Sequence, residues 1–174
     1  MEMLLPLMLI RTRTALVLLT LSLAMASHAG EHEGAGRTPW PKAYAQECAA
    51  CHVAYPPQML PAASWARLMG GLDKHFGTDA SLDAKDVQQL GRWLQENADR
   101  HPATPAPPED RITRTARFGR KHRQIEPATW RLPSVRSAAN CMACHTGADN
   151  GQYSEHALRM PEGLSARQRA AWDD

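Results

Sequence analysis

An apolar run with a basic flank lies close to the start of the chain. Two arginines precede the run at residues 15–23, and small residues follow as far as Ala29. A basic start, an apolar centre and a small-residue end are typical of a secretory signal peptide. The run is shorter than the ~20 residues that span a bilayer. We therefore expect residues 1–29 to be a signal peptide, with an uncleaved anchor as the alternative.

Further along, apolar residues recur at helical spacing. In residues 64–72 they are Trp65, Leu68, Met69 and Leu72, and in residues 83–98 they are Val87, Leu90 and Leu94, behind a possible cap at Asp83. Shorter helices are predicted over residues 44–52 and 134–141, and Ser165 to Gln168 fits a capping box. No alternation typical of a strand stands out. The sequence predicts a mainly α fold with little or no β-sheet.

Proline content and charge divide the chain further. Four of the seven residues from 102 to 108 are proline, which predicts a stiff linker over residues 102–110 between a first module (30–101) and a second (111–174). Residues 111–123 hold six basic residues and no acidic one, an arrangement usual for a solvated face. The net charge of the whole chain is only +2. So small a charge indicates neither a nucleic-acid partner nor an anionic membrane.

All four cysteines fall in two copies of one motif. Cys48-Ala-Ala-Cys51-His52 recurs as Cys141-Met-Ala-Cys144-His145. C-x-x-C-H is the attachment motif of c-type haem. Its two thiols bond to one haem, and the histidine that follows is offered to the iron. The sequence therefore predicts two covalently attached haem c groups.

Disulfides and zinc are the alternatives for these cysteines. An exported chain with four cysteines can form two disulfides, but a disulfide framework gives no reason for a histidine directly after each pair. A four-cysteine zinc site usually has its two C-x-x-C pairs about 15–20 residues apart, whereas Cys51 and Cys141 are far more distant. Haem accounts for the whole pattern.

The second axial ligand of each iron determines the chemistry. Methionine raises the reduction potential, and an open position permits ligand binding or catalysis. For the first haem the candidates are His75, Met59 and Met69, and His75 is favoured because glycines lie on both sides of it. For the second haem the candidates are His122, His156 and Met160. Spacing alone does not choose between these three.

Five segments together resemble the periplasmic dihaem cytochrome c family. They are residues 44–52, 68–72, 75–77, 118–123 and 138–148, and they span nearly all of the chain after the apolar start. The resemblance implies two small helical haem domains in which both irons have two histidine ligands. It implies His75 and His122 as the sixth ligands, although His156 also lies in a family-like segment.

The expected function is electron transfer in the periplasm, through two low-spin haems and without enzymatic chemistry at any side chain. The resemblance implies redox protein partners, such as a membrane cytochrome b or a small oxygen-binding haem protein. Two rival functions need an open iron site: a dihaem enzyme of the peroxidase kind and a gas-binding haem protein. The chain is short for such an enzyme, and no nearby His, Glu and Arg constellation suggests one.

Overall fold

Helices provide the regular secondary structure. The structure is a computed structural model that describes residues 40–101, 104–170 and 172. The α-helices of these residues are α1 (Lys42–Cys48), α2 (Ala62–Met69), α3 (Ala84–Glu96), α4 (Ala116–Lys121) and α5 (Ala166–Ala170). The same residues contain no β-strand, only three isolated bridges. The mainly α fold predicted from the sequence is confirmed.

Short 3-10 helices connect these elements. A proline occupies the first position of two of them, Pro57–Met59 and Pro108–Asp110, where its missing N–H group costs nothing. The others are Leu72–Lys74, Ile112–Arg114, Thr129–Arg131, Cys141–Ala143, Ala148–Asn150 and Glu155–Ala157.

The main hydrophobic core lies where α2 and α3 pack against each other and against α1. Leu90 and Leu94 are fully buried on the predicted stripe of α3. Trp65 of α2 is also buried, and its indole N–H donates to the carbonyl of Pro57 at 2.7 Å. Tyr44 of α1 completes the core. Burying apolar side chains and pairing each polar atom is what stabilises such a small core.

The second half of the chain is held together by capping and by polar contacts. Thr115 is the N-cap residue of α4, and its hydroxyl accepts from the backbone N–H of Phe118. At α5, the Ser165 hydroxyl accepts from the N–H of Gln168, and the side chain of Gln168 accepts from the N–H of Ser165. The predicted capping box is therefore confirmed. Gln168 is buried, and its side-chain N–H group donates to the hydroxyl of Thr129 at 2.9 Å.

The prediction of a helix over residues 134–141 is wrong. Residues 133–135 form a turn, and Arg136 has a left-handed φ of 69°, which ends any helix there. The Ser134 hydroxyl, at the start of the predicted helix, instead donates to the distant carbonyl of Glu162. Only the 3-10 turn Cys141–Ala143 forms, at the motif itself.

Other predicted helices are present with different bounds. The helix over residues 44–52 ends early, at Cys48, and the helix over residues 64–72 begins after Pro61 and ends before Gly70. Asp83 stands at the N-cap of α3 as predicted, but its side chain makes no cap hydrogen bond. Helix α4, within the basic segment, was not predicted at all.

Two predictions lie wholly or partly outside the described residues. The signal peptide at 1–29 is outside them, and so are residues 102 and 103 of the predicted linker. From Trp40 onward the described residues form one compact unit. The division into modules at residues 102–110 stays a prediction. No helix in the described ranges is long and apolar enough to cross a membrane.

Candidate haem sites

The first attachment motif lies at the C-terminal end of α1. Cys48 is the last helical residue and is half-buried, whereas Cys51 and His52 follow in an exposed turn. Nδ1 of His52 lies 2.6 Å from the carbonyl oxygen of Val53. When Nδ1 donates to a carbonyl, the neutral ring keeps the lone pair of Nε2 for a metal. The local fold thus presents His52 as a metal ligand.

His75 faces His52 across this site. It follows the 3-10 turn Leu72–Lys74, and left-handed φ values at Phe76 (50°) and Gly77 (95°) reverse the chain directly after it. The N–H of Thr78 closes the reversal by donating to the carbonyl of His75 at 3.1 Å. This tight reversal holds the imidazole at the site.

The separation of the two rings suits one metal ion between them. The ring centroids of His52 and His75 are 6.2 Å apart, and the ring planes differ by 22°. A metal–nitrogen bond of about 2 Å on each side, with each ring nitrogen about 1 Å from its centroid, gives a separation of about 6 Å. The centroid separation is therefore the one expected if both imidazoles bound one iron.

A cavity of ≈ 610 Å³ adjoins these histidines. Its volume falls within the roughly 300–1,000 Å³ typical of ligand sites. Apolar core side chains form much of its wall, including Leu60, Trp65 and Leu94, and the thiols of Cys48 and Cys51 lie at its edge. The wall suits a large apolar group attached through these cysteines. Arg111 and Arg136 are cationic lining residues.

The second motif is held by hydrogen bonds to the segment that follows it. The N–H of His145 donates to the carbonyl of Cys141 at 2.8 Å, and the carbonyl of Cys144 accepts from the N–H of Arg159 at 2.7 Å. The Thr146 hydroxyl donates to the carbonyl of Ala157 at 3.1 Å. The segment around residues 157–159 thus fixes the backbone of the motif.

The ring of His122 lies next to that of His145. Their centroids are 6.1 Å apart, although the ring planes differ by 76°. His122 is the C-cap of α4, and its Nδ1 lies 3.0 Å from the carbonyl oxygen of Phe118. The Phe118 ring stacks on the imidazole at 4.0 Å, and Trp130 lies 5.8 Å from it. The centroid separation is again the one expected if both histidines bound one iron.

The other candidates for the second iron lie elsewhere. His156 belongs to the exposed 3-10 turn Glu155–Ala157, and no ring contact joins it to His145 among the described residues. Met160 is 41% exposed. The structure therefore brings together His122 and His145. Of the candidates for the first iron, Met69 packs against the hydrophobic core, and His75 is the one beside His52.

Burial favours the neutral form of one histidine in each pair. Desolvation first, and the neighbouring His52 second, lower the pKa of His75 below its ordinary value. Desolvation and the neighbouring His122 likewise lower the pKa of His145. Nδ1 of both rings is buried without a hydrogen-bond partner. A neutral imidazole is the form that binds iron.

The thiols of the two motifs are not joined to one another in this structure. All four thiols are free. In the described ranges, no three His, Cys, Asp or Glu side chains gather in a group that could hold a metal ion. Each attachment motif instead has one histidine beside its own, His75 at the first motif and His122 at the second.

Comparison with known proteins identifies the family. The profile of the family described as dihaem cytochrome c matches residues 44–153. The chain belongs to the dihaem cytochrome c family. A member of this family binds two haem c groups covalently, so the cofactors predicted from the motifs are confirmed. The protein is a haem-binding electron-transfer cytochrome.

Solved structures agree with this assignment. One is the crystal structure of DHC from Rhodobacter sphaeroides, whose sequence is 42% identical and which superposes with a TM-score of 0.58. The match covers 67% of the present chain and 100% of the Rhodobacter chain. Another is the X-ray structure of a diheme cytochrome type c from Shewanella baltica OS155, with 32% sequence identity and a TM-score of 0.64. That match covers 72% of the present chain and 96% of the Shewanella chain. Comparison with curated proteins finds no match.

Several aromatic residues around the haem sites of this dihaem cytochrome were not predicted. Tyr55 stacks on His52 at 4.9 Å, and Tyr153 lies 5.3 Å from His145. Phe118 and Trp130 pack on His122. An aromatic residue four positions before a histidine, as in Phe118 and His122, is a recognisable helical pair. Tyr55 and Trp130 have no comparable pattern in the sequence.

Proposed function

We propose that this dihaem cytochrome is a periplasmic electron carrier in which each iron has two histidine ligands. His52 and His75 are the pair at the first site, and His145 and His122 are the pair at the second. The observation that carries the proposal is the separation of the paired ring centroids, 6.2 Å and 6.1 Å. Both values suit an iron that is closed to further ligands.

The haem groups supply one-electron chemistry at iron, and the residues of the chain control it. The carbonyls of Val53 and Phe118 accept from Nδ1 of His52 and His122, which fixes the orientation of both rings. Apolar side chains line much of the first site and would surround the haem there. No side chain has to donate or abstract a proton, because electron transfer makes and breaks no bond. The protein acts by positioning and by tuning the potential.

The ligand set also predicts the range of the potentials. A methionine ligand raises the potential of a cytochrome haem, and the proposed pairs contain none. Two low-spin haems of low potential are therefore expected. The partners we propose are redox proteins such as a membrane cytochrome b or a small oxygen-binding haem protein, as the family resemblance implies.

The proposed periplasmic location is supported by the apolar run at residues 15–23, which is typical of a signal peptide. Covalent attachment of haem fits an exported chain of this kind. Cell fractionation of the producing bacterium tests it. Recovery of the haem-stained protein with periplasmic markers is the expected result. Recovery in the membrane fraction after a salt wash would instead support the uncleaved anchor.

Spectroscopy of the purified holoprotein tests the ligation. Two low-spin ferric signals in low-temperature EPR, with no methionine-to-iron charge-transfer band in the optical spectrum, are expected. Carbon monoxide should fail to bind stoichiometrically to the ferrous protein. A high-spin signal, or one equivalent of bound carbon monoxide, would contradict the proposal and favour an enzyme or a gas-binding protein.

A further inference from the structure

Tyr55 contacts the first iron-ligand pair directly. Its ring stacks on the imidazole of His52, with centroids 4.9 Å apart and planes that differ by 25°. The residue is half-buried, and its backbone carbonyl accepts from the hydroxyl of the core residue Tyr44. The hydrogen bond ties the backbone of Tyr55 to the core, and from that position the ring packs on the proximal histidine.

The same side chain reaches the second attachment motif. The Tyr55 hydroxyl donates to the carbonyl of Ala139 at 2.8 Å, across 84 residues of sequence. That carbonyl also accepts from the backbone N–H of Cys141 at 3.0 Å. One oxygen atom therefore joins Tyr55 to the first thiol-bearing residue of the second haem site.

The two sites also share a wall. Cys141 and Met142 of the second motif line the cavity that holds the thiols of Cys48 and Cys51. The first haem and the second attachment segment are consequently neighbours. The relative position of the two haems depends on what holds residues 139–142 against this cavity, and the Tyr55 hydrogen bond is a direct contact of that kind.

We propose that Tyr55 is a positioning residue for electron transfer between the two haems. The stacked ring holds His52 while the hydroxyl holds the Ala139 carbonyl and, through it, Cys141. Tyr55 thereby fixes the separation of the haems and the coupling between them. This inference rests on the proposed function, because it takes both haems to be low-spin and bis-histidine ligated.

The electron balance involves the two irons alone. One iron passes from ferrous to ferric as the other passes from ferric to ferrous. No proton moves, and Tyr55 is neither oxidised nor reduced. Its contribution is geometric, so removing the hydroxyl alone should change the coupling of the haems and leave their ligands in place.

The test compares the holoprotein with three variants. Tyr55→Phe keeps the ring and removes the hydroxyl, and Tyr55→Leu removes both. Ser134→Ala is the matched control, because the Ser134 hydroxyl also donates to a distant backbone carbonyl, that of Glu162, at 2.7 Å. The two reduction potentials are measured by optical titration. The magnetic interaction of the two ferric haems and the rate of electron equilibration between them after partial photoreduction are measured as well.

The expected result separates the hydroxyl from the ring. Tyr55→Phe should keep both low-spin signals, weaken the magnetic interaction and slow the equilibration severalfold, whereas Ser134→Ala should match the wild type. Tyr55→Leu should in addition shift the signal of the first haem. If Tyr55→Phe loses only thermal stability and keeps the wild-type coupling and rate, the inference is overturned and the hydrogen bond is merely structural. If the wild type itself lacks two low-spin signals, the proposed function fails first.

Discussion

Arg67 of α2 and Asp110 form an ion pair through two parallel hydrogen bonds. Nε of Arg67 donates to Oδ2 at 2.8 Å, and Nη2 donates to Oδ1 at 2.6 Å. The hydrogen bond from Arg67, opposed in part by desolvation, holds the pKa of Asp110 below its ordinary value. Asp110 lines the first haem cavity together with Arg111. The pair thus ties the segment beside the haem to a helix of the core.

Replacing Asp110 by Asn should lower stability in a pH-dependent way. A carboxylate whose folded-state pKa is depressed stabilises the fold above its unfolded pKa of about 3.9, and this contribution is lost as the pH falls through the lower folded pKa. We expect Asp110→Asn to lower the thermal midpoint by a few degrees at pH 7, and the difference to shrink below about pH 4. Asp83→Asn is the control, since Asp83 is exposed and makes no cap hydrogen bond. A deficit that stayed constant down to pH 2 would contradict this account.

The turn after His75 requires a glycine. Gly77 has a φ of 95°, where an added Cβ meets nothing within 4 Å, so the cost of substitution lies in the backbone. Gly77→Ala should destabilise the protein by about 1–2 kcal/mol. The displaced turn should also weaken the hold on His75 and produce some high-spin haem. Denaturant titration and EPR measure the two effects.

Gly119 provides the matched control for that substitution. It lies inside α4, where an added Cβ again meets nothing within 4 Å, but its backbone is helical. Gly119→Ala should therefore stabilise the protein by roughly 0.5–1 kcal/mol. The idea that backbone conformation decides the outcome is wrong if both substitutions change stability in the same direction.

The sixth ligand of the second iron is tested by two alanine substitutions. His122→Ala should convert that haem to a high-spin form that binds carbon monoxide, because the ring beside His145 is removed. His156→Ala should leave both low-spin signals unchanged, because His156 is exposed on its 3-10 turn. Optical and EPR spectra of the two purified variants measure the result. The opposite pattern would assign the ligand to His156.

The sequence predicted those features that depend on local spacing. The stripe of α3 and the capping box at Ser165 were predictable because each is set by residues three or four positions apart. The two haem attachment sites were predictable for the same reason, because each C-x-x-C-H motif is a local pattern. The confirmed haem groups and the mainly α fold follow from these features alone.

Contacts between distant segments could not be read in this way. The hydrogen bond between Tyr55 and Ala139 joins residues whose separation carries no pattern. The wrong helix before Cys141 has a local reason, because Ser, Val, Asn and Cys have weak helix propensity and Arg136 adopts a left-handed backbone. Helix α4 was missed since its basic residues were interpreted only by charge. Spacing likewise does not choose between His122 and His156, and only the fold shows that the ring of His122 lies beside that of His145.

The fold should depend on the haem groups. The first cavity occupies ≈ 610 Å³, and its wall includes the core residues Leu60, Trp65 and Leu94. At about 24 cal/mol per Å³, an empty cavity of that size would cost on the order of 15 kcal/mol as an upper bound, since part of it is open to water. Even a fraction of that upper bound would be large beside the roughly 5–15 kcal/mol by which domains are stable.

Protein made without haem attachment should therefore lack a cooperative fold. Expression of residues 30–174 in a cytoplasm without the attachment machinery, followed by circular dichroism, tests this. We expect much less helix than in the holoprotein and no sigmoidal thermal transition. If the haem-free chain had the helix content of the holoprotein and unfolded cooperatively, the protein would fold without the cofactor and this prediction would be wrong. A double variant, Cys141→Ser with Cys144→Ser, can attach haem only at the first site. It should keep α1, α2 and α3 folded if filling the first cavity is what stabilises these helices.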